Sequence, residues 1–122
     1  MASELRVNTL KDASGNNSVG MSYVAEGTCK VWYRQDGTPN ILDSFSVSSI
    51  TDNDVGDHTL NFSISFANKD NYTAMCTSKS NDNRNMAYST TATNSMQVDL
   101  FDADAGNRVD GGAGAGILGD LA

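Results

Sequence analysis

Positive charge is scarce in this chain: 122 residues hold 8 Lys and Arg against 15 Asp and Glu, for a formal net charge of −7. Nucleic-acid binding depends on clustered cations that neutralise phosphate, so nucleic acid is not an expected partner. The acidic balance suits solubility and repulsion between particles. Long apolar runs are also missing. No stretch approaches the roughly 20 residues that span a bilayer, and the first twenty lack the charged-then-apolar layout of a secretory signal. The expectation is a protein made in a cytoplasm, with no membrane insertion.

Cysteine is limited to Cys29 and Cys76, too few for a disulfide scaffold. Both lie in the apolar phase of extended runs, Cys29 with Val31 and Tyr33, and Cys76 with Tyr72 and Ala74, which predicts small buried thiols. An immunoglobulin-type disulfide does not fit, because there the core Trp lies well beyond the first Cys, whereas Trp32 follows Cys29 by three residues. The single histidine, His58, stands at a loop-to-strand junction with no nucleophile motif beside it and reads as a surface or hydrogen-bonding residue. Without a His pair or a Cys-x-x-Cys, one chain has no zinc ligand set. The Gly111–Gly116 run has no lysine and no helical pattern after it, so it is not a phosphate loop. No acid, base and nucleophile constellation emerges, and enzymatic activity is not expected.

What the chain does have is period-2 alternation. Leu60, Phe62, Ile64 and Phe66 alternate with Asn61, Ser63 and Ser65, giving an extended strand one greasy face and one wet face. Phe45 and Val47 open a partner strand, and Ser48-Ser49 shift the phase before Ile50, where a β-bulge is expected. Further strands are predicted at Cys29–Gln35, Ile41–Ile50, Thr59–Phe66, Tyr72–Ser78, Met86–Thr91 and Met96–Phe101, separated by loops rich in Asp, Asn and Gly. The only proline, Pro39, lies in one of them. Helical spacing is not sustained anywhere, so little or no helix is expected. The fold class is all-β, an antiparallel β-sandwich of about seven strands with jelly-roll-like character.

The ends differ from the middle, and three regions follow: an extended arm over residues 1–27, a sandwich domain over 28–108 and a Gly/Ala-rich tail over 109–122. The arm reads as a short strand, a turn and a second extended piece. Its Leu5, Val7, Leu10, Val19, Met21 and Tyr23 are too many for a disordered arm and too few for a core. The tail holds five of the eleven glycines, and Gly and Ala lose much entropy on ordering while burying little area. A flexible tail is therefore expected; the alternative is an arm that docks Ile117, Leu118 and Leu121 into a neighbour.

Two loops, Asp52-Asn53-Asp54-Val55-Gly56-Asp57 and Asp102-Ala103-Asp104-Ala105-Gly106-Asn107, look like the start of a calcium loop. In the first, Gly falls at position five rather than six, and position twelve is Ser63 rather than Glu. Turn chemistry is the reading taken, and no metal or cofactor is expected. Exposed contact positions are expected at Asp52, Asn53 and Asp54 and at Asn81, Asp82 and Asn83. Strand faces carrying Ser, Thr, Asn and Asp with Trp32, Tyr33 and Tyr88 suit glycan contact and equally suit an inert solvated sheet.

Cys29-Lys30-Val31-Trp32, the run Asp43–Asn53 and Gly56-Asp57-His58-Thr59-Leu60-Asn61-Phe62, followed by Asn71-Tyr72, resemble a module of bacteriophage tail-fibre and fibre-like virion proteins. The lead-in LRVNTLKDASGNNSV, from Leu5 to Val19, is similar to the segment that often precedes this module, so the resemblance covers about residues 4–77. The module commonly has Tyr where His58 stands and a small residue where Cys29 stands. The resemblance implies a homotrimeric all-β virion component without catalytic residues; the apolar material at both ends of the chain, more than one small core can use, adds the expectation that terminal segments are exchanged among subunits. Its partners would be sister copies, other virion proteins and a host surface glycan. The lead-in has no shaft sequence before it, which implies either a tip protein added to another tail component or a decoration of the capsid. A free carbohydrate-binding module is a further alternative.

Overall fold

The computed structural model describes residues 2–79 and 84–122, and the chain is mostly strand. A short hairpin comes first, β1 (Thr9–Lys11) and β2 (Ser18–Gly20), followed by the one helix among the described residues, α1 (Met21–Gly27). Eight strands make up the rest: β3 (Cys29–Gln35), β4 (Ile41–Phe45), β5 (Val47–Asp54), β6 (Asp57–Phe62), β7 (Tyr72–Lys79), β8 (Arg84–Ala92), β9 (Ser95–Asp102) and β10 (Gly112–Gly119). They form two four-stranded antiparallel sheets with orders β4-β3-β10-β7 and β5-β6-β9-β8.

Both sheets contribute to one core. The first supplies Val31, Tyr33, Tyr72, Ala115 and Ile117, and the second Leu60, Phe62, Met96 and Val98, with Phe66 from the link that follows β6. Alternation does the sorting: in β9 Met96, Val98 and Leu100 are buried while Ser95, Gln97 and Asp99 face out. Three rings lock one end, with Phe66 stacked on Tyr72 at 4.6 Å and Phe62 edge-on to both at 5.7 and 5.9 Å. The Tyr72 hydroxyl points at the Ala92 and Ser95 carbonyls (3.0 and 2.9 Å), and burial pushes its pKa up to about 12.

The Gly/Ala-rich segment is not a free tail. As β10 it is an interior strand, paired with β3 on one side and β7 on the other. Ile117 is fully buried in the core of its own chain, so it is not available to dock into a neighbour. The final residues are held as well: Ala67 N–H donates to Asp120 O at 2.8 Å and Ala122 N–H to Ser65 O at 2.9 Å. The sheet domain thus extends past residue 108 to include residues 112–119. Entropy lost by the glycines is offset by strand pairing on both edges and by Ala113, Ala115 and Ile117 facing the core.

Three further expectations need correction. The second half of the arm is helical rather than extended over Met21–Gly27, because Met21 and Val24 at i, i+3 are half-buried on one face while Tyr23 points to solvent. The run Ile41–Ile50 breaks at Ser46, whose φ of +59° turns the chain from the first sheet into the second. Cys29 is exposed at the start of β3, with its thiol donating to Val31 O at 3.0 Å, whereas Cys76 is half-buried against the core and burial raises its pKa to about 11. The bulge expected at Ser48-Ser49 is present as a register shift between Val47 and Ser49.

Candidate functional site

The outward side chains of β5, β6, β9 and β8 line up in polar rows. One row runs Thr51, Thr59, Gln97 and Ser89 straight across the sheet; the next runs Ser49, Asn61 and Ser95. Hydrogen bonds hold this surface in place. Asn61 Nδ2 donates to Ser49 Oγ (3.0 Å) and Thr51 Oγ1 (3.1 Å), and Asn53 Nδ2 donates to Thr59 Oγ1 (2.9 Å) and Asp57 Oδ1 (3.2 Å). Gln97 Nε2 donates to the same Asp57 oxygen at 2.9 Å. A preset array of hydroxyls and amides is the donor and acceptor set that a polyhydroxylated ligand can meet without first ordering the protein.

The face becomes charged at one end. Arg108 lies 2.9 Å from Asp99 and 3.6 Å from Asp57, whose native pKa is held below the ordinary 3.8 chiefly by the Gln97 amide, aided by Asn53 and Arg108. A carboxyl that ionises more readily in the native state stabilises the fold fully above its unfolded pKa, and this contribution is lost as pH falls through the native value. Gln97→Leu is expected to move the Asp57 titration midpoint, read by carboxyl-carbon NMR, up towards 3.8 and to flatten the loss of stability below about pH 4. An unmoved midpoint would show that Gln97 does not hold this charge.

Beneath the edge of the same sheet lies His58. It is 0% exposed, contrary to the surface position expected of it, because Asp57 takes the outward phase of β6 and leaves the inward phase to residue 58. Its Nε2 is 3.9 Å from Asp52 Oδ1 and 3.8 Å from Asp110 Oδ1, beyond hydrogen-bonding distance. Asp110 Oδ1 instead accepts from Gly56 N–H at 2.9 Å.

The other sequence-predicted positions fall as follows. Asp52, Asn53 and Asp54 are exposed at the far end of β5, beside the charged end of the polar face; Asn81, Asp82 and Asn83 lie outside the described residues. Leu5, Val7, Leu10, Val19 and Tyr23 are exposed on the arm, Met21 and Leu118 are half-buried, and Leu121 is partly exposed. Tyr33 is buried in the core, Tyr88 is half-buried, and Trp32 keeps an open edge. The Asp102 carboxylate accepts from the N–H groups of Asp104 (2.9 Å) and Ala105 (3.3 Å), which is turn chemistry. Among the described residues no group of three or more His, Cys, Asp or Glu is placed to hold a metal ion, and no helix is long and apolar enough to cross a membrane.

Sequence reasoning marked the wet phase of β6 but missed Gln97, Asp99 and Arg108 as neighbours of Asp57. Alternation in β9 signals the outward placement of Gln97 and Asp99; the cross-strand register and the loop that brings Arg108 to them are not written in any local pattern. No protein-family model, curated protein or solved structure matches the chain.

Proposed function

We propose that this chain is a non-enzymatic structural protein of a bacteriophage virion, an exposed tail-fibre or spike element that meets the host surface. In this reading the two sheets are the layers of a β-sandwich, the working unit is a homotrimer, and assembly takes place in the host cytoplasm. The observation that carries it is the polar face built on Thr51, Thr59, Gln97 and Ser89, with hydroxyls and amides held ready for a surface glycan. The tail-fibre-like run from Cys29 to Phe62 supports the virion assignment.

The test is adsorption of the purified protein to host cells. Thr51→Arg with Ser89→Arg places two bulky cations at exposed ends of the polar row, and a loss of roughly tenfold or more in adsorption is expected with the fold retained. Unchanged adsorption, together with particle images showing hundreds of copies over the shell, selects the capsid-decoration reading instead. A free carbohydrate-binding module is favoured by one observation, the exposed Trp32 and Phe45 side by side on the other sheet. Glycan binding abolished by Trp32→Ala in a monomeric protein would select it.

A further inference from the structure

Among the described residues, Arg108 is the cation set on the outward face of the β5-β6-β9-β8 sheet, and it is already engaged. Its guanidinium lies 2.9 Å from Asp99 and 3.6 Å from Asp57, two residues directly opposite each other on β9 and β6. Arg84, the other cation in these strands, shares the inward phase of Met86 and Tyr88 on β8 and donates to Asp110 O. Asp52 and Asp54 add exposed carboxylates at the same end. The hydroxyls have the opposite bias. Ser49, Thr51 and Thr59 each accept an amide N–H from Asn61 or Asn53, which leaves their O–H groups to donate. Asp57 Oδ1 is filled by the Asn53 and Gln97 amides, which leaves Oδ2 to accept. Beside Asp99 in the register, Ala87 carries only a methyl group, so the face dips there between the exposed Asn85 and Ser89, and Phe101, the next outward residue of β9, borders the dip.

We propose that this face takes an uncharged polysaccharide of the host surface and rejects acidic ones, and that the pairing of Arg108 with Asp57 and Asp99 sets the choice. The inference rests on the glycan-contact reading above and names the ligand class of that same face. A sugar hydroxyl both donates and accepts, so a neutral chain takes hydrogens from Ser49, Thr51 and Thr59 and gives its own to Asp57 at the charged end. A carboxylate, sulfate or phosphate only accepts. Such a group needs a free cation, and the guanidinium here already faces two carboxylates, which leaves the trio with net negative charge. An acidic sugar therefore meets like charge where a neutral one meets acceptors, and repulsion of this kind separates ligands that fit equally well in shape.

The test splits polysaccharide released from host cells on an anion-exchange column and uses the unretained, uncharged fraction and the retained, acidic fraction as competitors of adsorption by the full-length protein. The uncharged fraction is expected to lower wild-type adsorption roughly tenfold at a concentration where the acidic fraction leaves it unchanged. Asp57→Asn with Asp99→Asn keeps the side-chain shapes and frees Arg108, so the acidic fraction is expected to compete roughly tenfold better against this variant than against wild type. Adding Arg108→Gln should remove that gain, which a mere loosening of the sheet would not do. Competition of the wild type by the acidic fraction, or by neither fraction, would overturn the uncharged class whether or not the Asn variant folds. A folded Asn variant, checked by near-ultraviolet dichroism, that still ignores the acidic fraction would overturn the part given to Arg108. Adsorption unmoved by Thr51→Arg with Ser89→Arg would instead remove the face as the contact, so the two failures are read apart.

Discussion

A chain ended after Asp110 will not fold. It lacks β10, which stands between β3 and β7, so two strands lose their neighbour and the first sheet divides into a β4-β3 hairpin and a lone β7. Ala113, Ala115 and Ile117 leave the core together, and Phe66 loses its bridge to Leu121. Domains of this size are stable by only about 5–15 kcal/mol, and the ladders on both edges of the strand and its buried side chains are all lost against that small margin. The expected readout is the absence of a cooperative melt, with near-ultraviolet dichroism lost. A graded version separates strand from tail: Ile117→Ala removes a fully buried side chain and should cost about 2–5 kcal/mol, whereas Leu121→Ala, partly exposed, should cost under about 1 kcal/mol. A truncated chain that melts like wild type would mean that β10 contributes nothing to the fold.

That strand shows where sequence reading stops. Cys29–Gln35 was legible to the residue because Val31, Tyr33 and Gln35 alternate with Lys30, Trp32 and Arg34, and burial follows the same period. The greasy face of β6 and the bulge at Ser48-Ser49 were legible for the same reason. In β10 the outward positions from 112 to 116 carry no side chain, so Gly112, Gly114 and Gly116 give no polar phase against which Ala113, Ala115 and Ile117 could register as apolar. Its pairing partners lie far back in the sequence, and no local rule reports them. Ser46 was hidden differently: serine is only a weak turn former and has no special tolerance of positive φ, and the left-handed step there follows from the need to change sheets. Of the polar face, Asn61 was readable as the wet phase of β6, while the grouping of Asp57, Asp99 and Arg108 depends on register.

Gly56→Ala is expected to destabilise the fold strongly without abolishing it, and the reason is backbone rather than side chain. Gly56 has φ +66°, which costs an L-residue about 1–2 kcal/mol, and a Cβ there would sit 2.7 Å from both Leu100 O and Val109 N and 2.8 Å from Val109 O. Those atoms cannot yield one at a time: Leu100 N–H donates to Gly56 O at 2.9 Å, Val109 N–H to Leu100 O at 3.1 Å, and Gly56 N–H to Asp110 at 2.9 Å. Overpacking of this kind adds about 1–3 kcal/mol, for a total of about 2–5 kcal/mol and a fall in melting temperature on the order of 10–20 °C. Gly106→Ala is the control, because its φ of +72° is similar but nothing lies within 4 Å of the added carbon. It should lose only the conformational part, about 1–2 kcal/mol. Equal melting temperatures for the two variants would place the whole effect in φ and remove the close approach of the Gly56 turn to β9 and the 108–110 segment as the device that sets Asp57 at the charged end of the polar face.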